Sequence, residues 1–186
     1  MCISVLQDPT FFQFLYCIDQ EHAAVVRARG CALCGGPLHQ ANYERKPGDG
    51  PWEALQDATR FSFCCGHCRR RCTPESVRFL GRRVYRSAVV LLATALCSGL
   101  NPRRGQQLSA QFGVSVRTIQ RWRQWWLTGF TKTKLWRELR GRFMPPVAES
   151  ALPGELLDRA LGDDKRVLIA HVLRWLAPLT TISEDR

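Results

Sequence analysis

Two short cysteine pairs constrain this chain more than any other feature. Cys31-Ala32-Leu33-Cys34 and Cys65-Gly66-His67-Cys68 share one spacing, with thirty residues between Cys34 and Cys65. Two thiolates set two residues apart can bite one tetrahedral ion at about 2.3 Å per Zn–S bond. The pairs therefore predict that distant stretches of chain are drawn to a single point. Gly35 and Gly36 permit the tight turn that aims backbone N–H groups at the sulfurs. The long spacer is absorbed by an exposed loop around Lys46-Pro47-Gly48-Asp49-Gly50-Pro51. Alternation through Arg60-Phe61-Ser62-Phe63 puts Phe61, Phe63 and Cys65 on one strand face, favouring Cys65 over Cys64. The expected ligands are Cys31, Cys34, Cys65 and Cys68, with Cys64, His67 and Cys72 as competitors for a place. Four protein ligands leave no open position, so the expected cofactor is a structural Zn2+ that holds together a segment with little core of its own.

The chain has nine cysteines, an odd number, clustered rather than spread as a disulfide framework. Cys2, Cys17 and Cys97 stand singly on apolar stretches and read as small core residues. The start, Met1-Cys2-Ile3-Ser4-Val5, has no basic leader, and the apolar run over residues 88–97 is too short to span a bilayer. These features predict a reduced, cytoplasmic protein with no membrane contact, in which paired cysteines mean metal.

A second pattern lies between residues 106 and 127. Leu108 and Phe112 form an apolar pair that ends one helix. Gly113 takes a turn where positive φ is cheap, and Ser115 is placed to cap the next helix. Val114, Ile119 and Trp122 face back onto the first helix, with Trp126 continuing the seam. Trp122 therefore reads as core rather than as a stacking platform; for Trp125 both readings stay open. Ser115, Val116, Arg117, Gln120, Arg121 and Gln124 are left pointing outward. This is the layout of a helix-turn-helix whose second helix lies in a DNA major groove. There Arg117 and Arg121 can each grip guanine O6 and N7, and Gln120 can read adenine. Ser115 and Thr118 suit phosphate contact or capping. Arg103, Arg104, Arg123, Lys132 and Lys134 would hold the backbone without reading sequence.

Charge supports this reading. The formal net charge is +11 and the pI is near 9.7. Between residues 69 and 142 there are 17 Lys and Arg against two acids, Glu75 and Glu138, while the remainder is acidic on balance. A positive field centred on one module predicts a polyanion partner. Arg69, Arg70 and Arg71 beside the last cysteines, followed by Arg78, Arg82, Arg83 and Arg86, extend the expected footprint.

The expected fold is mainly α, in four parts. An N-terminal helix fills residues 1–30, with a stripe of Phe11, Phe14, Leu15, Ile18, His22 and Val25. A zinc ribbon of short strands fills 31–72. A helix-turn-helix bundle fills 73–130, with a helix start at Thr73-Pro74-Glu75-Ser76 and a first long helix over 82–96. In that helix Val84, Ser87, Ala88, Leu91, Leu92 and Ala95 form the buried face. A basic linker and C-terminal helices fill 131–186, the last with Val167, Leu168, His171, Val172 and Trp175 inward. The terminal stripes suit partner contact or a homodimer. Catalysis is not expected: no acidic cluster falls on an alternating strand, no Gly-rich phosphate loop occurs, and Asp163-Asp164 reads as a helix cap.

Cys31-x-x-Cys34, Cys65-x-x-Cys68, Arg69-Arg70-Arg71 with Thr73-Pro74, and Gly113-Val114-Ser115 with Thr118-Ile119-x-Arg121-Trp122 resemble the DNA-binding part of bacterial insertion-sequence proteins. They are also similar to small accessory proteins encoded beside transposases. The resemblance covers about residues 31–127. It implies recognition of element DNA, nucleoid association and contact with a transposase catalytic subunit, without that family's cleavage chemistry. A stand-alone repressor, or a zinc-ribbon module binding protein or RNA, is the alternative.

Overall fold

The computed structural model describes residues 2–45, 58–80, 85–96 and 102–181, with backbone alone for Cys2, Ile3, Pro102 and Arg104. The chain is mostly helical with a small amount of sheet. Among the described residues, seven α-helices and five short strands form two apolar cores, a large helical one and a small one beneath the cysteines.

Helix α1 (Pro9–Arg29) starts where Asp8 accepts the Thr10 N–H and Pro9 occupies the first turn, as its sequence predicts. Its buried face is Phe11, Phe12, Leu15, Ile18, Asp19 and Ala23, so Phe11, Leu15 and Ile18 of the expected stripe lie on it and Phe14, His22 and Val25 do not. Phe14 and Val25 are 38% and 56% exposed, and Cys17 is exposed rather than a core residue. The helix is turned by Asp19, which is fully buried. Its carboxylate accepts from Ser76 Oγ at 2.6 Å, the Val77 N–H at 2.7 Å and Arg78 Nε at 2.8 Å.

Strands β1 (Leu38–Gln40), β4 (Phe63–Cys65) and β5 (Arg71–Cys72) make an antiparallel sheet in the order β1-β4-β5, and β2 (Tyr43–Glu44) pairs with β3 (Thr59–Arg60). Leu38 opposes Cys65 and Phe63 opposes Cys72. Phe61, Phe63 and Cys65 share the small core with Ala23 of α1, Cys31 and Leu38. The expected exposed loop at residues 46–51 lies outside the described residues.

No helix begins at Thr73-Pro74-Glu75-Ser76. Residues 73–80 form an irregular strap, buried from Ser76 to Leu80. The reason is chemical: Ser76 gives its hydroxyl to Asp19 instead of capping a helix, and Arg78 turns inward. Arg78 is 5% exposed, donates to the Thr59 carbonyl at 2.7 Å and lies over the rings of Tyr16, Phe79 and Phe61. Arg60 is buried beside it and donates to the Pro74 carbonyl. Thr180 closes the same region by accepting the Ser76 N–H at 3.0 Å.

The strap sets the start of helix α2 (Ser87–Ala95), because the Ser87 N–H donates to the Arg78 carbonyl at 2.9 Å and its hydroxyl bonds the Val77 carbonyl. Ser87 through Thr94 are all buried, so α2 is a central helix rather than one with a single inner face. Val84 lies outside the described residues. Around α2 pack α3 (Pro102–Phe112), α4 (Val116–Thr128) and α7 (Lys165–Leu176). Helix α5 (Lys134–Leu139) joins α4 through a run of rings, Trp126 to Phe130 at 4.9 Å and Phe130 to Trp136 at 5.3 Å. Helix α6 (Gly154–Arg159) leads to α7, which Asp164 caps by accepting the Arg166 N–H. In α7 the inner residues are Ile169, Ala170, Val172, Leu173 and Leu176. Of the expected face, Val172 is buried, Leu168 and Trp175 are half-buried, and Val167 is 44% exposed. The rotation places His171 and Trp175 at the core's edge, ring against ring at 4.6 Å, with Phe143 beyond.

Removing one partner of a buried ion pair strands the other charge. Asp19→Ala is expected to destabilise the protein by about 3–5 kcal/mol, read as a lowered urea midpoint. Glu138→Ala, which removes an exposed partner of Lys134, is expected to cost under about 0.5 kcal/mol.

Candidate metal centre and nucleic-acid interface

The sulfurs of Cys31, Cys34, Cys65 and Cys68 lie within 4.8 Å of one another. Cys31 Sγ is 3.6 Å from Cys68 Sγ, and Cys34 Sγ is 3.5 Å from Cys65 Sγ. A tetrahedral ion with metal–sulfur bonds of about 2.3 Å requires sulfur–sulfur edges of about 3.8 Å, so the donor set fits a single metal ion. Among the described residues these four are the one group of His, Cys, Asp and Glu side chains placed to hold one. The three competitors lie elsewhere. Cys64 points its sulfur at the Arg69 carbonyl, 3.4 Å away, and His67 is exposed with its ring against Gly36. Cys72 is half-buried on β5, where burial pushes its thiol up.

Local backbone makes two of the thiols acidic. The Leu33 and Cys34 N–H groups aim at the Cys31 sulfur and lower its pKa. The Cys68 N–H, with that of His67, brings Cys65 down to about 6 against the opposing effect of burial. The Arg70 N–H favours the Cys68 thiolate, but burial and the nearby sulfurs of Cys31, Cys65 and Cys34 outweigh it and push Cys68 up to about 12. Four thiolates cannot share this space without a cation between them, and a bound metal ion would supply it.

The α3–α4 pair carries the other expected site residues. Gly113 makes the turn with φ 62°. Ser115 caps α4 by accepting the Thr118 N–H, and the two hydroxyls lie 3.0 Å apart. Leu108, Phe112, Val114, Ile119, Trp122 and Trp126 are buried, and Trp125 is half-buried against Trp126 and Phe130. Arg117, Gln120, Arg121 and Gln124 are exposed on one side of α4, Ser115 is exposed at its N-cap, and Val116, also expected outward, is half-buried. Thr118 is not: it is 7% exposed, and its hydroxyl also accepts from Arg121 Nη2 at 3.3 Å. Its role is to brace the cap and Arg121.

The expected backbone contacts divide in the same way. Arg103, Lys132 and Lys134 are exposed, Arg123 is half-buried, and the Arg104 side chain lies outside the described residues. Arg69 and Arg70 are exposed, whereas Arg71 reaches across the sheet to the Ala41 carbonyl and Ser62 Oγ, each at 3.2 Å, and lies over Tyr43. Arg78 is removed from any footprint by its burial against Asp19. Arg86 lies half-buried over the Phe12 ring, and Arg82 and Arg83 fall outside the described residues. The roles of Asp19, Arg60 and Arg78 escaped sequence reasoning; the one available signal was a lone acid within the apolar spacing of α1. Among the described residues no helix is long and apolar enough to cross a membrane.

In comparisons with known proteins, no family model, no curated protein and no solved structure matches the chain.

Metal binding to this centre must displace the proton of Cys68, whose thiol is pushed up to about 12. Apparent metal affinity is therefore expected to rise at least tenfold per pH unit from pH 6.5 to 8.5, because each displaced proton contributes one power of ten. Competition with a chromophoric chelator across that range measures the slope; a flat profile would sink the thiolate assignment.

Proposed function

We propose that this chain is a zinc-dependent, sequence-specific binder of double-stranded DNA. The four-cysteine sheet is its zinc ribbon, and α3 with α4 its helix-turn-helix. The observation that carries this reading is the division of α4. One side, Ile119, Trp122 and Trp126, is buried in the core, and the other presents Arg117, Gln120, Arg121 and Gln124 to solvent. A helix so anchored can enter a major groove without losing its packing. Two arginines and two glutamines are the donor-rich side chains that discriminate base edges there. Arg103, Lys132 and Lys134 supply charge for flanking phosphates and set register rather than sequence.

The role that best suits this architecture is an accessory or targeting subunit of a bacterial transposition system, cooperating with a separate catalytic subunit and having no catalytic centre of its own. This rests on the order of ribbon, arginine strip and helix-turn-helix. Four thiolates that surround a metal ion leave it no place for a water or substrate, so the zinc is structural.

Selection of bound duplexes from a random pool by the zinc-loaded protein, repeated at two salt concentrations, tests the reading. A motif that persists at the higher salt supports it; motif-free binding that vanishes with salt rejects base recognition. With a motif in hand, Arg117→Ala or Arg121→Ala should cost about 1–3 kcal/mol and relax preference at one base pair. Lys132→Ala should weaken all sequences alike.

A further inference from the structure

The two turns that carry the cysteines are built alike. In the first, the Cys31 N–H donates to the Gly36 carbonyl at 2.9 Å and the Gly35 N–H to the Cys31 carbonyl at 2.8 Å. In the second, the Cys65 N–H donates to the Arg70 carbonyl at 2.9 Å and the Arg69 N–H to the Cys65 carbonyl at 3.1 Å. Gly35 and Arg69 thus hold equivalent places, and both are left-handed, with φ 68° and 60°. Glycine adopts that conformation freely, whereas an L side chain in it crowds the following carbonyl. Arg69 is the one non-glycine residue with positive φ among the described residues.

Nothing in the packing explains an arginine there. Its side chain is exposed and has no hydrogen bond or ion pair to a described residue, and the same holds for Arg70. Arg71, one residue further, shows the contrast: its guanidinium is used to brace the sheet. The second turn therefore presents two unneutralised guanidinium groups at the rim of the metal centre, one on a backbone that glycine would adopt with less strain. A cation held in a strained conformation, without an internal partner, is placed for an anion outside the chain.

We propose that Arg69 contacts a backbone phosphate of duplex DNA, with Arg70 beside it, as an anchor separate from the groove contacts of α4. The inference rests on the duplex-DNA reading above. Cys68 precedes Arg69 directly, so a metal ion held by Cys65 and Cys68 would fix the backbone from which its side chain departs. The ribbon is then a metal-positioned DNA contact as well as a structural support.

The test compares the full-length, zinc-loaded wild type with Arg69→Gly and Arg69→Lys. Arg69→Gly should retain one metal ion per chain and melt at the same temperature or higher. It should bind the selected duplex and a scrambled one more weakly by the same factor, with a salt dependence shallower by about one ion. Arg69→Lys should keep the wild-type salt slope. An unchanged slope in Arg69→Gly overturns the proposal while leaving duplex recognition by α4 intact. Loss of metal or a lower melting temperature in Arg69→Gly overturns it by making Arg69 structural. Failure of the wild type to bind any duplex overturns the DNA reading and this proposal together.

Discussion

The ion pair between Asp19 and Arg78 sits where the two cores meet, and the arrangement of both follows from it. A carboxylate with no exposure survives only when its lone pairs are met, and Asp19 receives a hydroxyl, a backbone N–H and a guanidinium from three consecutive residues. Those residues form the strap, and the strap's carbonyls set the first residue of α2. Tyr85, just before α2, packs its ring 4.8 Å from Trp122 of α4. The same guanidinium reaches back to Thr59 and Phe61 on the cysteine side. The strap that leads into α2 and the sheet that carries the cysteines thus both touch one buried charge pair. Such a pair adds little net stability compared with an apolar replacement, but it tolerates few alternative arrangements.

Local chemistry was legible in the sequence, and long-range polar contacts were not. The cysteine pairs, the Gly113 turn, the Ser115 cap and the seam of Ile119, Trp122 and Trp126 are each defined by residues a few positions apart, and all four occur where the spacing puts them. The inner face of α1 matches the apolar spacing at Phe11, Leu15 and Ile18 but also takes in Asp19, which counting apolar residues assigns to solvent. Its partner lies 59 residues away. Thr73-Pro74-Glu75-Ser76 has the composition of a helix start, but Ser76 is engaged by Asp19, and tertiary bonding overrode propensity. In α7 the expected face is buried at Val172, half-buried at Leu168, His171 and Trp175, and exposed at Val167, because Ile169, Leu173 and Leu176 take the inner side.

The arginines show the limit of charge counting. Arg60, Arg71 and Arg78 lie in or near the basic segment, yet all three serve the interior or the sheet. The exposed cations of the segment include Arg69 and Arg70 beside the cysteine cluster, Arg103 on α3, Arg117 and Arg121 on α4, and Lys132, Lys134, Arg137, Arg140 and Arg142 after it. A footprint drawn from net charge alone would be too broad. Exposure removes Arg60 and Arg78 from it.

The outer surface of α1 is tied to residues made long after it. Asp8 pairs with Arg166, 158 positions later, and the strap is closed by Thr180. At about 5–20 residues added per second, the contact between Asp8 and Arg166 cannot close until several seconds or more after α1 is made. The cysteine sheet and the α3–α4 pair, closed by contacts nearer in sequence, can assemble during that interval. The Asp8–Arg166 and Ser76–Thr180 contacts therefore close after the bonds of Asp19 to Ser76, Val77 and Arg78 have become possible.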